Sequence, residues 1–562
     1  MPGPDSRHVE FEIPPGGTGW LVLGFFLFAT AAAFLTARDY GIASDVGLYF
    51  HSSLRQIAWA HKLLEAVLGG APTEALGRTE VFEHWRWLPV RVTHPPLSRE
   101  LSGLSYLALK GWVDPLTAYR GAVLLTYGAL VASVAAVTAR ATGSRLSGLA
   151  AGASTLTIPA LFAYGHLAHT DLFLAAFWFW CVSALEAYLR TDDDRWLVAS
   201  GLLLGAACAT KFSGVLLVVV LGGWLLHRRR LDLRATAILA AAAIVVFFAV
   251  DPALWVGPVE GIREYLATGV NRSADEAAQI VTEYFGELYV FRAPWHYPFV
   301  WTAIVVPIPI LLAMAAGLSR WRGSRLVPLT LLNAVVLYGA LLVPAAPLHD
   351  GIRLFLPLFP FLCVLSGIGC GALSDWITRR SAATGASGDL VGALVFLALF
   401  ALPGLRTVQY HPHQLSYFNV LIGGIRGAAA RGLEVTNLKE ALSPSVLAEL
   451  RERIPPDAVI HGGFLTEELC FYQAVGDAPR SWVVETALEL SDGTVRTIAC
   501  EDPRSLVAVT HLRPPRDADY VFVLNRRAQF TSIDRALTRF GGAPFYKLAV
   551  RGVPLLRVYR TE

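Results

Sequence analysis

The sequence has little charge. Only 16% of its 562 residues are Asp, Glu, Lys or Arg, where soluble globular chains carry about 25%. With 54% hydrophobic residues and a mean hydropathy of +0.49, the composition argues against a soluble protein and for a membrane one. The net charge is only +3, with no basic tail and no basic-aromatic stripe, which speaks against a nucleic-acid partner. No GxGxxG and no P-loop is present, so no nucleotide-binding motif is expected. Cysteine is scarce too: six residues, no CxxC pair and no zinc spacing. Cys181, Cys208, Cys363 and Cys370 lie in apolar runs and read as core. Cys470 and Cys500 fall in polar sequence and could bridge in an oxidising compartment. No internal repeat is evident, nor the inverted pair of broken helices that marks many transporters.

What is abundant is long apolar sequence. A crossing helix needs about 20 apolar residues, and eleven segments are candidates: 18–36, 116–139, 145–163, 170–189, 196–210, 212–227, 235–250, 297–318, 325–343, 352–373 and 389–408. The stretch before the first, "MPGPDSRHVEFEIPPGGTGW", has one arginine, several acids and no clear A-x-A site after it. It reads as a retained helix, not a cleaved signal. Arginine-rich loops (Arg140/Arg145, Arg190/Arg195, "HRRRLDLR" at 227–234, "SRWRGSR" at 319–325, "TRR" at 378–380) alternate with arginine-poor ones at 164–169, Lys211, 251–296 and 344–351. The positive-inside rule puts the first kind in the cytoplasm. The N-terminus is then cytoplasmic, and a first loop (37–115) and a second large loop (251–296) lie outside. Segment 95–112 must then be interfacial or re-entrant; counting it as a twelfth span breaks the charge pattern. Residues 409–562 have ordinary polarity and strand-like runs such as "DAVIHGG" and "DYVFVLN". The fold class read from this is mainly α: a polytopic bundle over residues 1–408 with a small extracytoplasmic α/β domain over 409–562.

The unusual polar residues gather on one side. Asp39, Asp45, His94, Asp171, Lys211, Asp251, Arg292, His296, His349, Asp350 and Arg353 all map to outer loops or outer ends of spans. Ionisable groups there are costly, so their clustering suggests a site. Acids can take a proton from a hydroxyl or amine. Lysine, arginine and histidine can hold a phosphate and stabilise its charge as it leaves.

These segments resemble a known family. "GIASDVGLYFHSSLRQIAW" (41–59), "THPPL" (93–97), "HLAHTDLFLAAF" (166–177), "GLLLGAACATKFSG" (201–214), "APWHYP" (293–298), "HDGIRLFLPLFP" (349–360) and "HPHQLSYFNVLIGGIRGA" (411–428) follow one another as in the polyprenyl-phosphate-dependent glycosyltransferases of the GT-C superfamily. The likeness is to bacterial proteins similar to protein O-mannosyltransferases and aminoarabinose transferases. It implies a GT-C bundle in a bacterial inner membrane and a polyprenyl-phosphate sugar donor in the membrane lipid. The acceptor would be a protein, lipid or glycan. It also implies that the first-loop Asp, here Asp45, is the general base. The family's acidic pair reads Asp45–Val46 here, so the second acid is missing. That puts a metal role for the pair in doubt and leaves a divalent metal an open question.

Each candidate also has a plainer reading. Asp45 and Asp171, the two catalytic candidates, could be helix N-caps. His94, before Pro95-Pro96, could be a structural hydrogen bonder. Lys211 stands alone between apolar helices, so an anionic partner, the lipid phosphate, is attractive. His349 and Arg353 would share a helical face if the helix has begun by His349; Arg353 could instead pair with Asp350. Arg292, His296 and Tyr297 could be interfacial anchors. Tyr417 and Asn419 could line the sugar site or dock the tail, the latter being favoured. "TDDDR" (191–195) resembles a metal triad but lies on the cytoplasmic side. The reading is a transferase in which Asp45 takes the acceptor's proton across a cavity from Lys211 and Arg353, inverting the anomeric carbon. The alternatives are a transporter or flippase for a lipid-linked or anionic solute, and a non-catalytic scaffold.

Overall fold

The computed structural model describes residues 15–86, 94–270, 280–381, 387–489, 495–500, 512–513 and 518–561. The first fourteen residues, part of the stretch read as a retained N-terminus, lie outside it.

Helices occupy all eleven apolar segments. By length and composition alone, four described helices could cross a membrane: Pro115–Thr142, Thr170–Thr191, Arg353–Ser381 (counting its 3-10 opening) and Gly388–Gln409. Tyr297–Val305 and Ile308–Leu318 would make a fifth, although they bend by 116°. Others are shorter or broken, such as Arg145–Thr157 followed by Pro159–Tyr164. Prolines set the breaks. The residue before a proline is pushed out of the helical region, and Val306 before Pro307 is extended with ψ 131°. Segment 95–112 forms Leu97–Leu109, thirteen residues. At 1.5 Å per residue that is about 20 Å, too short to cross.

Small residues let the helices cross closely, as apolar solvent requires of packing partners. A Cβ on Gly369 would lie 1.7 Å from the Ala313 carbonyl oxygen, so Ile308–Leu318 and Phe359–Ser381 meet backbone to backbone there. The Pro307 bend frees carbonyls, and the Asn419 amide nitrogen donates to two of them, Ala303 at 2.6 Å and Val306 at 2.7 Å.

The C-terminal unit is a seven-stranded mixed sheet. Along it run Val495–Ala499, Val483–Glu489, Val459–His461, Tyr520–Leu524, Val553–Arg560 and Tyr546–Val550, and Leu512–Arg513 pairs with the second of these. Cys470 and Cys500 form a disulfide. A separate hairpin, Val281–Tyr284 with Glu287–Val290, comes from the second large loop.

The charges sort to two ends. Helix Thr170–Thr191 has Asp171 at its start and, just past its end, Asp192 paired with Arg230. Arg353 opens its helix, and Asp375 near the far end pairs with Arg320. Twenty helical residues separate such ends by about 30 Å. The acids of "TDDDR" pair with Arg195, Arg230 and Arg234 at the arginine-rich end.

Candidate functional site

Residues 41–50 are held between the bundle and the tail. The Arg120 guanidinium, fully buried, donates to the Tyr40 carbonyl at 3.0 Å and the Gly41 carbonyl at 2.7 Å. On the other side the Ser44 amide donates to the Leu438 carbonyl at 2.8 Å and the Ile42 amide to the Tyr472 hydroxyl at 2.9 Å. Gly41 is required by this approach, because a Cβ there would sit 2.3 Å from the Glu440 carbonyl oxygen. Asp45 follows in the left-handed region, φ 70°, ahead of helix Val46–Leu68. Its side chain makes no capping bond. The expected plainer role, N-cap, is therefore absent, and the carboxylate is free to serve elsewhere. Non-glycine residues in this region are few and Asp is among those that tolerate it.

The Asp45 carboxylate meets Arg353, whose Nη2 lies 3.2 Å from Oδ2. Arg353 is fully committed: Nε donates to Asp171 at 3.1 Å, Nη1 to Asp350 at 3.0 Å, and Nη2 also to His169 Nε2 at 2.8 Å. His169 Nδ1 lies 2.7 Å from Asp171 Oδ2, and its Nε2 lies 3.6 Å from Asp45 Oδ2, so the ring bridges the two acids. Lys211 Nζ donates to the other Asp171 oxygen at 2.6 Å. Asp350 continues the chain, through His349 Nδ1 at 3.0 Å and through Arg526 Nη2 at 2.6 Å. Lys439 pairs with Glu468 at 3.0 Å and Glu467 at 3.6 Å beside the same loop.

Within this network the side chains of Asp171, Asp350, Glu467 and Glu468 are all nearly or wholly inaccessible, whereas the Asp45 side chain is 44% exposed. Burial pushes the Asp45 carboxyl up. The His169 and Arg353 contacts outweigh it and hold it below the usual carboxylate range. Burial, with Glu468 beside it, pushes Glu467 up to about 8. Among the described residues no three acids, histidines or cysteines form a metal-holding group. Asp45, Asp171 and Asp350 already hold guanidinium or ammonium groups, so they do not fit a resident cation.

Asp45, Asp171, Lys211, His349 and Arg353, placed together from sequence, do converge. Their roles shift. Lys211 has an anionic partner, but it is Asp171. Arg353 touches Asp45, so it does not stand across a cavity from it. His349 precedes the first helical residue, so no shared helical face exists; it reaches the network through Asp350. His94 lies at the edge, its ring 6.5 Å from Tyr49 and its carbonyl accepting from Arg99. The Tyr297 hydroxyl accepts from the Gly351 amide at 2.8 Å and so fixes the loop carrying Asp350. Four candidates make their described contacts outside the network. Arg292 donates to the carbonyls of Leu342, Val343 and Ala346 at and just past the end of helix Leu326–Leu342. Asn419 closes the Pro307 break, and Tyr417 packs edge-on against Tyr410. His296 packs at 5.5 Å from the Tyr284 ring. Sequence reading passed over His169, although it stands in "HLAHT", and Lys439, Glu434 and Arg526, which carried no motif.

Residues 105–255 match the family model described as dolichyl-phosphate-mannose-protein mannosyltransferase. No curated protein matches the chain by sequence. Two solved structures superpose on nearly all of it: ArnT from Cupriavidus metallidurans bound to undecaprenyl phosphate, and the same protein in the apo state. Both give a TM-score of 0.51 at 15% identity, covering 97% and 96% of this chain and 98% of theirs. The fold is the GT-C fold. The matched family segment contains His169, Asp171 and Lys211. Asp45, Arg353 and Arg526 lie outside it and come to them only through the GT-C fold.

Proposed function

We propose that the chain is an integral membrane glycosyltransferase that moves a sugar from a polyprenyl-phosphate donor to an acceptor on the extracytoplasmic side, with inversion. One observation carries the reading: among the described carboxylates of a large buried ionic network, Asp45 alone opens to solvent, beside a GT-C bundle. Asp45 takes the proton from an acceptor hydroxyl or amine as its oxygen or nitrogen attacks the anomeric carbon. The bond to the phosphate oxygen breaks, and polyprenyl phosphate leaves. Lys211 and Arg353 act behind Asp45. Arg353 fixes and charge-balances it by direct contact, and Lys211 supports that arrangement through Asp171. The family match and the undecaprenyl phosphate named for ArnT support a lipid-linked donor. The gathering of the ionic network at one end supports transfer over transport, which needs polar groups along a path through the bilayer.

The test uses purified protein in detergent with a polyprenyl-phosphate sugar. Wild type releases polyprenyl phosphate. Asp45→Asn, which keeps the shape and loses the base, falls by about 10²–10⁴. Undiminished release by Asp45→Asn, or uptake of the donor without bond cleavage, contradicts the reading.

A further inference from the structure

The network does not stop at the bundle. Arg526 belongs to the C-terminal sheet unit, two residues past strand Tyr520–Leu524. Its side chain is 3% exposed. Nη2 donates to Asp350 Oδ1 at 2.6 Å and Nη1 to the Asn437 carbonyl at 2.7 Å, while Nε faces Glu434 Oε1 at 3.5 Å. The Phe464 ring covers the guanidinium at 5.7 Å. Asp350 is thus divided. Oδ1 takes Arg526, and Oδ2 takes Arg353 Nη1 and His349 Nδ1, each at 3.0 Å. Arg353 in turn divides itself among Asp350, Asp171 and Asp45.

We propose that Arg526 is a positioning residue for the transfer reaction, acting on Asp45 through Asp350 and Arg353. The inference rests on the reading of Asp45 as the base. A guanidinium shared among three carboxylates leans toward the one with most uncompensated charge. Arg526 neutralises one side of Asp350, which leaves the outer nitrogen of Arg353 to Asp45 and His169. Without Arg526, Asp350 is a buried carboxylate short of a countercharge. It draws Arg353 inward, and the Asp45 carboxylate loses the contact that fixes its direction. The tail unit then does more than sit on the bundle: the catalytic geometry is complete only when the tail is docked. The Tyr472 hydroxyl and the Leu438 carbonyl, which accept from the amides of Ile42 and Ser44, hold the same loop independently of Arg526, so the loop stays in place while the aim of the carboxylate is tested.

The experiment measures initial rates of polyprenyl phosphate release by the full chain in detergent, varying the polyprenyl-phosphate sugar. A melting curve of each variant confirms that it is folded at the assay temperature. Arg526→Gln is expected to lower kcat about tenfold with the donor KM changed less than about threefold. Arg526→Lys keeps the charge opposite Asp350 but not the fork, and is expected to fall about threefold in kcat. The double variant Arg526→Gln/Asp350→Asn removes the uncompensated charge with its partner. It is expected to exceed Arg526→Gln in kcat, a non-additivity that a mere docking contact does not give. Should Arg526→Gln not fold, Arg526→Lys decides alone. Unchanged kcat in the folded Arg526 variants, or a rise in KM alone, overturns the proposal. An active Asp45→Asn overturns the base assignment instead, whatever the Arg526 variants do.

Discussion

At the scale of residues, the site is a problem in burying charge. Asp171 is 1% exposed and survives there because Lys211, Arg353 and His169 surround it. Breaking such a set on one side leaves an uncompensated charge. Lys211→Met is therefore expected to lower stability by about 3–5 kcal/mol, read as a drop in melting temperature in detergent. Asp45 makes the second prediction. Its folded-state pKa lies below the ordinary value, so it stays ionised, as the proposed base role requires, while pH falls through the range where a free carboxylate protonates. Its contribution to stability has the same sign: present above the unfolded value of about 3.9 and lost only as pH falls through the lower folded one. The pH profile of kcat/KM should thus show no acid limb at pH 4–5, whereas Arg353→Gln, deprived of the cation, should bring one into that range.

At the scale of elements, the prolines and their repairs matter most. The 297–318 segment reads from sequence as one apolar span, and the structure bends it by 116° because Pro307 follows an extended Val306. The carbonyls so freed are met by Asn419, more than a hundred residues on. An apolar run announces its length but not a break whose repair comes from elsewhere in the chain. Asn419 and Tyr417 could accordingly be read either as sugar-site or as docking residues; the Asn419 side chain is taken up by the bundle carbonyls, and Tyr417 packs on Tyr410. Leaving two buried carbonyls unmet costs about 1–3 kcal/mol apiece. Asn419→Ala should melt earlier, with the donor KM of the folded fraction unchanged. The same limit explains His349. Its spacing from Arg353 implied a helical face, but the chain turns through Asp350 and Gly351, both at positive φ, before the helix starts.

At the scale of the whole molecule, the legible part was geography. The alternation of arginine-rich loops separated two ends of the bundle, and the structure puts Asp45, Asp171, Lys211 and Arg353 together at one and the "TDDDR" ion pairs at the other. Arg526 and Lys439 were illegible, because a single basic residue in a domain of ordinary polarity carries no periodicity or motif; only folding brings Arg526 to Asp350, 176 residues away. The orientation is itself testable. A cysteine replacing exposed Phe540 of the tail should react with an impermeant thiol reagent on intact cells, and one replacing Arg322 only after permeabilisation. The central claim is that Asp45 acts in the chemical step and not in holding the donor. Single-turnover measurement with a polyprenyl-phosphate sugar addresses it most directly, comparing donor Kd and the rate of polyprenyl phosphate release in wild type and Asp45→Asn. The account predicts a Kd within about threefold and release slowed by at least about a hundredfold. Equal release rates, or a loss confined to donor binding, would contradict it.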